Sequence, residues 1–431
     1  MGKIKKMYTV SQIADLLSVS KQTVRNWDAS GKLQAIRHPE NGYRLYPEDA
    51  VLALDKEGLL SSKDLPVKEE PLKKYTVIEL FAGAGGLALG LEQAGLACLA
   101  LNEVNKHACA TLRANRPHWN VLEGDVKNID FKGYAGKVDI VTGGFPCQAF
   151  SYAGKKLGLE DARGTLFYEF ARAVREIKPL ICVGENVRGL LKHDGGKTIN
   201  GMVSVLSEIG YRVLHPRVLK AIFHKVPQKR ERVLIVAIRA DIDLNYEFPR
   251  PHNEHYTLKD ALMPGRLFES EVPTSPGMVY AKRKAEILNF VPQGGYWRDL
   301  PIELQKEYMK KSFYLGGGKT GMARRMSWDE PCLTLTCNPA QKQTERCHPE
   351  ETRPFTVREY ARIQTFPDEW KFSGPLTAQY QQIGNAVPVN LAKEIGYTLV
   401  KALNGYYGAK FSMAKGDRSS DPVPNEFEVV A

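Results

Sequence analysis

The sequence around Cys147 could position a cysteine as a nucleophile. Cys147 lies in the segment Val138-Asp-Ile-Val-Thr-Gly-Gly-Phe-Pro-Cys-Gln-Ala-Phe-Ser151. The apolar start predicts a buried strand, and the glycines and proline predict a loop that holds the thiol at the carboxyl end of that strand, where active sites of open α/β sheets lie. A thiolate is a good nucleophile, although a lone cysteine is more often a small buried hydrophobe. No histidine accompanies Cys147 locally, so a protease-like pair has no support.

A second candidate site is a glycine-rich loop. Gly83, Gly85 and Gly86 follow the strand-like stretch Tyr75–Phe81 and precede a helical one. Glycines let the backbone approach a ligand, and a helix N-terminus favours negative charge. Glu103 lies where an acidic side chain binds ribose hydroxyls at the end of the second strand of such folds. The loop therefore fits a nucleoside cofactor, but its spacing does not separate a nicotinamide from S-adenosylmethionine.

One further acidic residue and a late group of cysteines could also bind a ligand. Asp125, in Glu123-Gly-Asp-Val, ends the next predicted strand and could accept a hydrogen bond from an adenine amino group, but it equally suits a turn or helix cap. Cys332, Cys337, Cys347 and His348 lack the tight ligand pairs of structural zinc sites, so we expect no metal. The seven cysteines are scattered without a Cys-x-x-Cys pair, which indicates reduced thiols rather than a disulfide framework.

Five motifs in a fixed order make one resemblance specific. They are Phe81-Ala-Gly-Ala-Gly-Gly86, Gly144-Phe-Pro-Cys-Gln148, Glu185-Asn-Val187, Gln228-Lys-Arg-Glu-Arg232 and Gly384-Asn-Ala-Val-Pro388. This set resembles the ordered motifs of the DNA cytosine-5 methyltransferase family and spans most of residues 75–402. The resemblance implies an α/β fold, with a Rossmann-like class I methyltransferase core and a mostly parallel sheet. It also implies S-adenosylmethionine as the cofactor.

The resemblance also implies roles for the catalytic side chains. Cytosine carbon 5 is a poor nucleophile, so Cys147 adds to carbon 6 and makes an enamine that can attack a methyl group. Glu185 acts on ring nitrogen 3, which requires a carboxyl whose pKa is raised by burial or by the base. Arg232 donates to cytosine oxygen 2, and Arg230 supports the catalytic loop or a DNA phosphate. The base that removes the carbon 5 proton is not identified.

The expected cofactor residues follow from the same motifs. They are Phe81, Gly83, Gly85, Gly86, Glu103, Asp125 and Asn385. Of these, Asn385 is expected in the pocket for the cofactor carboxylate.

A stacked base is out of reach of a cysteine, so the target nucleotide must be flipped out of the duplex. In the resembling family a recognition lobe between the Gln-x-Arg-x-Arg and Gly-Asn motifs reads the neighbouring bases, and residues 241–353 occupy that place. Arg324 and Arg325 are expected to contact DNA, and so is Gln228. Other side chains of the lobe suited to phosphates or bases are Arg283, Arg298, Gln341, Lys342 and Gln343.

The elements that position these residues divide the chain as follows. Residues 75–240 alternate strands and helices and form the catalytic core, and residues 354–408 complete it with a supporting helix over Thr356–Pro367. Between them lies the loop-rich recognition lobe. A charged linker spans residues 57–74, and residues 409–431 lose apolar periodicity and are predicted to be disordered.

Residues 1–56 predict a small DNA-binding head. A capping box over Thr9–Gln12 opens one helix, and a second helix, Lys21–Trp27, turns Gln22, Arg25 and Asn26 outward. A hairpin around Asn41-Gly42 then predicts a β wing. The segment resembles the winged helix-turn-helix heads of the MerR and excisionase families, in which the second helix enters the major groove. We expect the head to bind DNA, including the promoter of its own gene.

Composition agrees with a nucleic-acid partner. The 431 residues carry 60 Lys+Arg against 49 Asp+Glu, a net charge of +11, and the length exceeds that of one hydrophobic core. No apolar run is long enough to span a bilayer and no signal peptide is apparent, so we expect a cytoplasmic monomer that binds double-stranded DNA and no membrane. The leading hypothesis is the modification enzyme of a restriction–modification system. The alternatives are an RNA cytosine-5 methyltransferase and a DNA-binding regulator on a methyltransferase scaffold.

Overall fold

The computed structural model describes residues 7–16, 21–38, 42–53, 68–146, 165–252 and 254–416. Cys147, the linker residues 57–67, the Asn41 position of the hairpin and the tail beyond residue 416 lie outside the described residues. The chain divides into two compact units, Met1–Val67 with Arg250–Asn253, and Lys68–Pro249 with Glu254–Ala431.

The described part of the smaller unit contains three short helices and a three-stranded sheet. Its elements are β1 (Met7–Thr9), α1 (Val10–Leu16), α2 (Lys21–Ala29), β2 (Ile36–Arg37), β3 (Arg44–Pro47) and α3 (Glu48–Leu52). The strands form an antiparallel sheet in the order β1-β3-β2, and β1 was not predicted. Thr9 and Gln12 exchange side chain-to-backbone hydrogen bonds of 2.8 and 3.3 Å, so the predicted capping box is present.

The core of the smaller unit explains which side chains of α2 remain available. Val24 of α2 is fully buried, together with Ile13 and Tyr46, whereas Gln22, Arg25 and Asn26 are exposed. The outward polar face predicted for this helix is therefore present.

The larger unit is built on a central sheet of eight strands among the described residues. These are β4 (Thr76–Leu80), β5 (Ala97–Glu103), β6 (Val121–Glu123), β7 (Ile140–Gly143), β8 (Ile181–Val187), β9 (Tyr211–Val213), β10 (Arg217–Lys220) and β12 (Glu231–Arg239). Their order is β10-β12-β8-β7-β4-β5-β6, with β9 also paired to β12. The pairs from β8 to β6 are parallel and those of β12 are antiparallel, which confirms a mostly parallel sheet.

Helices cover both faces of this sheet. They are α4 (Gly86–Gln93), α5 (Lys106–Asn115), α6 (Leu166–Ile177), α7 (Lys197–Glu208), α11 (Val357–Ile363), α12 (Leu376–Asn385) and α13 (Val389–Gly416). One face packs on Phe170 and Val205 of α6 and α7, and the other on Leu91 and Leu391 of α4 and α13. A Cβ atom on Gly90 would lie 2.4 Å from that of Ala392, so this glycine allows α4 and α13 to touch.

The described part of residues 241–353 is rich in loops, as predicted. It contains α8 (Leu258–Leu262), α9 (Lys282–Leu288), α10 (Ile302–Met309) and the short strand β13 (Cys332–Leu333), which pairs in parallel with β11 (Gln228–Lys229). An apolar cluster that includes Leu288, Trp297 and Met309 gives this lobe a core of its own.

The structure agrees with the supporting helix predicted near the end of the chain, but it differs from the disorder predicted from residue 409. Helix α11 begins at a capping box between Thr356 and Glu359 and is almost wholly buried, which agrees with a supporting helix. Helix α13 continues to Gly416, into the segment that was predicted to be disordered from residue 409. Good helix formers such as Ala409 and Lys410 sustain it there without strict amphipathic spacing. No helix in the described ranges is long and apolar enough to cross a bilayer.

Candidate active site

The carboxyl ends of the parallel strands open into a cavity of about 750 Å³. Most of the residues that the sequence analysis singles out for this site line the cavity: Phe81, Gly83, Gly86, Glu103, Asp125, Glu185, Arg232 and Asn385. The cofactor loop and the proposed catalytic carboxylate therefore share one space, although more than a hundred residues separate Gly83 from Arg232 in the chain. Gly85 and Arg230 do not line the cavity. Gly85 is the N-cap of α4, and Arg230 donates hydrogen bonds to the backbone of Gly384 and Asn385.

Backbone geometry explains the glycines of the cofactor loop. Gly83 and Gly85 have φ angles of 54° and 81°, in the left-handed region, and Gly85 is the N-cap of α4. A Cβ atom on Gly86 would lie 2.3 Å from the carbonyl oxygen of Val387. Phe81 adopts a φ of 58° without being glycine, a strained conformation held by the surrounding loop.

Glu103 holds this loop in place. Its carboxylate accepts hydrogen bonds from the backbone N–H groups of Gly83 (2.8 Å), Val104 (2.8 Å) and Asn105 (2.7 Å). Asp125 caps a short 3-10 turn by accepting from the backbone N–H of Lys127 at 3.0 Å. Both carboxylates keep lone pairs free for a ligand that enters the cavity.

The start of the Phe-Pro-Cys-Gln loop is fixed by the Glu-Asn-Val strand. Strand β7 ends beside β8, and Asn186 donates a 2.8 Å hydrogen bond from its amide to the carbonyl of Phe145. Pro146 lines the cavity directly before Cys147. The structure thus brings the loop that leads to Cys147 next to Glu185, and Gly144 leaves space there, because a Cβ atom on it would lie 3.1 Å from Glu185 Oε2.

Glu185 and Arg232 form a nearly buried ion pair. Arg232 Nε lies 2.6 Å from Glu185 Oε1, yet that oxygen is not in hydrogen-bond geometry with any described group. Burial raises the pKa of the Glu185 carboxyl, and the charges of Arg232 and Arg230 oppose that rise. The carboxyl is thus desolvated, next to a cation, and open to a further hydrogen-bond partner in the cavity.

Arg230 is a buried connector. It lies between β11 and β12, and its guanidinium donates to the carbonyls of Leu335 (3.3 Å), Gly384 (2.9 Å) and Asn385 (3.4 Å). It therefore ties the strand that carries Arg232 to the Gly-Asn motif. Asn385 itself lines the cavity and accepts a hydrogen bond from the Cys337 thiol at 3.1 Å. Arg230 and the Arg232 side chain are both largely buried, so neither lies on a solvated strand edge.

Two residues that were expected to contact DNA are buried and form hydrogen bonds within the protein. Gln228 is fully buried and bonds the side chain of Gln364 (2.8 Å) and the backbone N–H of Leu335 (3.0 Å). Arg325 is also buried, and its guanidinium donates to the carbonyls of Leu288 and Val291, at 2.9 and 2.8 Å. It further donates to His348, Glu351 and Thr352. This arrangement does not support DNA contact by Gln228 or Arg325, because the duplex would have to displace these bonds. Arg324 is half-buried, and its Nε has no partner among the described residues.

Sequence reasoning missed two groups at the site. Asn186 was quoted as part of a motif without its role in holding Phe145. Glu79 of β4 lines the cavity but was given no function, although an acidic residue inside the apolar strand Val77-Ile-Glu-Leu80 is an unusual feature. Within the described residues no cluster of His, Cys, Asp and Glu could hold a metal ion.

This sheet order, with a glycine loop after β4 and the site at the carboxyl ends of the strands, defines a class I methyltransferase fold. A solved structure of the Dnmt2 methyltransferase of S. pombe matches it with a TM-score of 0.53 at 16% identity, over 77% of this chain and 100% of that one.

Sequence comparison specifies the family. Residues 75–401 match the family described as C-5 cytosine-specific DNA methylase, and residues 9–46 match the MerR family regulatory protein. The chain is 60% identical to the Type II methyltransferase M.Eco47II of Escherichia coli, over 94% of this chain and 98% of that protein. It is 57% identical to M.PspPI of a Psychrobacter strain, over 92% of this chain and 96% of that protein. The chain belongs to the C-5 cytosine-specific DNA methylase family and carries a MerR-like segment at its amino end.

Proposed function

We propose that the protein methylates carbon 5 of a specific cytosine in double-stranded DNA, as the modification enzyme of a restriction–modification system. Its Type II relatives support the second part of the proposal. The observation that carries the first is the shared cavity, in which Glu185 offers a desolvated carboxyl beside the loop that leads to Cys147.

The cavity suits S-adenosylmethionine as the methyl donor. The left-handed glycines keep the loop at its mouth free of side chains, and Glu103 and Asp125 provide acceptors for the hydroxyl and amino groups of an adenosine. Phe81, Gly83, Gly86 and Asn385 complete the lining that would hold it. When bound, this cofactor supplies an electrophilic methyl group.

The chain's own groups would then act on the base. The Cys147 thiolate forms a bond to carbon 6 of the extruded cytosine, and the electron pair of the 5,6 double bond becomes nucleophilic at carbon 5. Glu185 holds a proton at ring nitrogen 3, which disperses the charge, while Arg232 keeps the carboxyl in place and donates to oxygen 2. A base then takes the carbon 5 proton, the 5,6 double bond re-forms, and the bond between carbon 6 and sulfur breaks to release the Cys147 thiolate.

A covalent trap tests this proposal. A duplex with 5-fluorocytosine at the methylated position, incubated with methyl donor, should become attached to the wild-type protein. The Cys147→Ala variant should bind the duplex without attachment or methyl transfer. Retained transfer by purified Cys147→Ala would remove Cys147 from its role, and labelling of RNA alone would favour an RNA substrate over DNA.

The MerR-like segment supports a second proposal, that the head binds DNA independently of catalysis and represses the gene of the protein. The exposed Gln22, Arg25 and Asn26 on α2 are suited to a major groove. This regulatory activity would accompany methylation and not replace it.

A further inference from the structure

The recognition lobe contains a buried carboxylate that joins three of its segments. Glu345 is 0% exposed, and its Oε2 accepts a hydrogen bond from the backbone N–H of Ala323 at 2.7 Å. The same oxygen accepts from the hydroxyl of Tyr308 on α10, and Oε1 forms an ion pair with Lys284 on α9. A glutamate is almost never buried to this extent unless it is paired. Glu345 thus ties two helices of the lobe to the segment that contains Ala323.

The backbone that Glu345 holds is strained. Ala323 has a φ of 48°, in the left-handed region that residues with a Cβ atom rarely adopt, so the bond from its N–H to Glu345 stabilises an unfavourable conformation. The carbonyl of the next residue, Arg324, accepts a hydrogen bond from the N–H of Cys347 at 3.1 Å. The backbone on both sides of the Arg324 side chain is therefore fixed by the segment that carries Glu345. Strain of this kind occurs mainly where a side chain is held for binding or catalysis.

The Arg324 side chain adds to a positive charge that the lobe does not neutralise. Its Nε is buried without a hydrogen-bond partner among the described residues. The neighbouring Arg346 is 5% exposed and donates to the carbonyls of Thr334 (3.1 Å) and Glu345 (2.7 Å) rather than to a carboxylate. Burial lowers the pKa of the Arg346 guanidinium, and the nearby charge of Arg324 lowers it further. Two guanidinium groups in this arrangement favour an anion from outside the protein.

We propose that Glu345 is a positioning residue, which acts through Ala323 to hold Arg324 for contact with a phosphate of the duplex. The inference rests on the proposed methylation of double-stranded DNA. Tyr308 and Lys284 keep the Glu345 carboxylate in place, and Arg346 adds positive charge close to Arg324. An arginine that is already ordered loses less side-chain freedom on binding than a mobile surface arginine does.

Duplex binding by the full chain tests this inference. The probe is a fluorescent duplex that contains the target site, mapped by sequencing 5-methylcytosine in DNA of cells that express the protein. Arg324→Ala should weaken binding about ten- to a hundredfold, because hydrogen bonds between charged groups are lost. Tyr308→Phe removes one bond to the Glu345 carboxylate and should weaken binding about three- to tenfold, as should Glu345→Gln. In the Arg324→Ala background neither change should weaken binding further.

A rescue at Ala323 separates positioning from general support of the fold. Glycine adopts the left-handed conformation without strain and needs no help from the carboxylate. Ala323→Gly should therefore restore part of the duplex affinity that Glu345→Gln loses. A carboxylate that merely stabilises the lobe would give additive losses with Arg324→Ala and no rescue, and that pair of results would overturn the inference.

The controls keep the outcome clear. Glu303→Gln, on α10 with an exposed side chain, should leave duplex affinity unchanged. If Glu345→Gln does not fold, Tyr308→Phe with Arg324→Ala provides the same cycle, because it keeps the shape of the buried ring. Unchanged affinity of Arg324→Ala would overturn the inference. A loss seen with the target duplex but not with one altered at a neighbouring base pair would overturn the assignment to phosphate. Failure of the wild type to methylate any duplex is a separate result, which would reject the proposed function itself.

Discussion

Arg232 Nε and Glu185 Oε1 lie 2.6 Å apart on neighbouring antiparallel strands, with both side chains nearly buried. In the strand register Arg232 is opposite Val187 and Leu234 is opposite Glu185, so the two charges are diagonal neighbours on one face of the sheet. Burial raises the pKa of the Glu185 carboxyl, whereas the positive charge of Arg232 stabilises its ionised form. The same carboxyl can therefore hold or share a proton at a bound base.

The first prediction concerns this carboxyl. Glu185→Gln should lower the single-turnover rate of methyl transfer about 10²- to 10⁴-fold, because an amide cannot exchange a proton with the ring. Affinity for the duplex should change little. Glu231→Gln, on the neighbouring strand β12 and outside the cavity, is the matched control and should retain the wild-type rate. A Glu185→Gln rate within threefold of wild type would contradict the assigned role.

The second prediction concerns the pH dependence of stability at Glu79. Its pKa is raised by burial, so the folded state binds a proton more tightly than the unfolded state does. Stability of the wild type relative to Glu79→Gln should thus fall as pH rises above about 4.5, the region in which an unfolded glutamate loses its proton. Thermal midpoints of both proteins, measured without ligand from acid to neutral pH, would show this. A constant difference between them would contradict it.

Arg230 should act on the site through the Gly-Asn motif. Arg230→Met would leave the carbonyls of Leu335, Gly384 and Asn385 without their donor, so we expect a loss of about 2 to 5 kcal/mol in stability. Because Asn385 lines the cavity, affinity for the methyl donor should fall as well. Denaturant unfolding and calorimetry measure the two effects. Normal stability with lost DNA binding would instead indicate a phosphate contact.

The adjacent residues Arg324 and Arg325 of the recognition lobe allow a buried arginine to be compared with a half-buried one. Arg325→Ala should destabilise the protein by about 3 kcal/mol, since several buried carbonyls lose their donor. Arg324→Ala should leave the thermal midpoint unchanged and weaken duplex binding, with the salt dependence reduced by about one ion. Binding isotherms at several salt concentrations distinguish them. The reverse pattern would restore Arg325 as the DNA contact.

The head can be tested apart from the catalytic unit. Arg25→Ala combined with Asn26→Ala should abolish binding to promoter DNA without lowering methylation of the target site, because both side chains are exposed on α2. Deletion of residues 1–56 should raise expression of a reporter under the gene's own promoter. Unchanged expression would exclude repression by the head.

The local features of this protein could be predicted from the sequence. The capping box at Thr9, the glycine loop and the strand-to-loop position of Glu103 depend on residues a few positions apart, and the motifs indicated the fold and the family. Apolar periodicity is a weaker guide, because helix α13 continues past residue 409, where that periodicity is lost.

Which polar groups are buried, and with what partner, was decided by tertiary structure alone. Gln228 is bonded to Gln364 and Arg230 to Gly384, at separations of 136 and 154 residues, and no local pattern reports such contacts. Arg325 looks like its neighbour Arg324 in the sequence but is enclosed by backbone carbonyls. No motif singles out Glu79 either. Its burial, with no hydrogen-bond partner for Oε2 among the described residues, depends on distant strands that surround it.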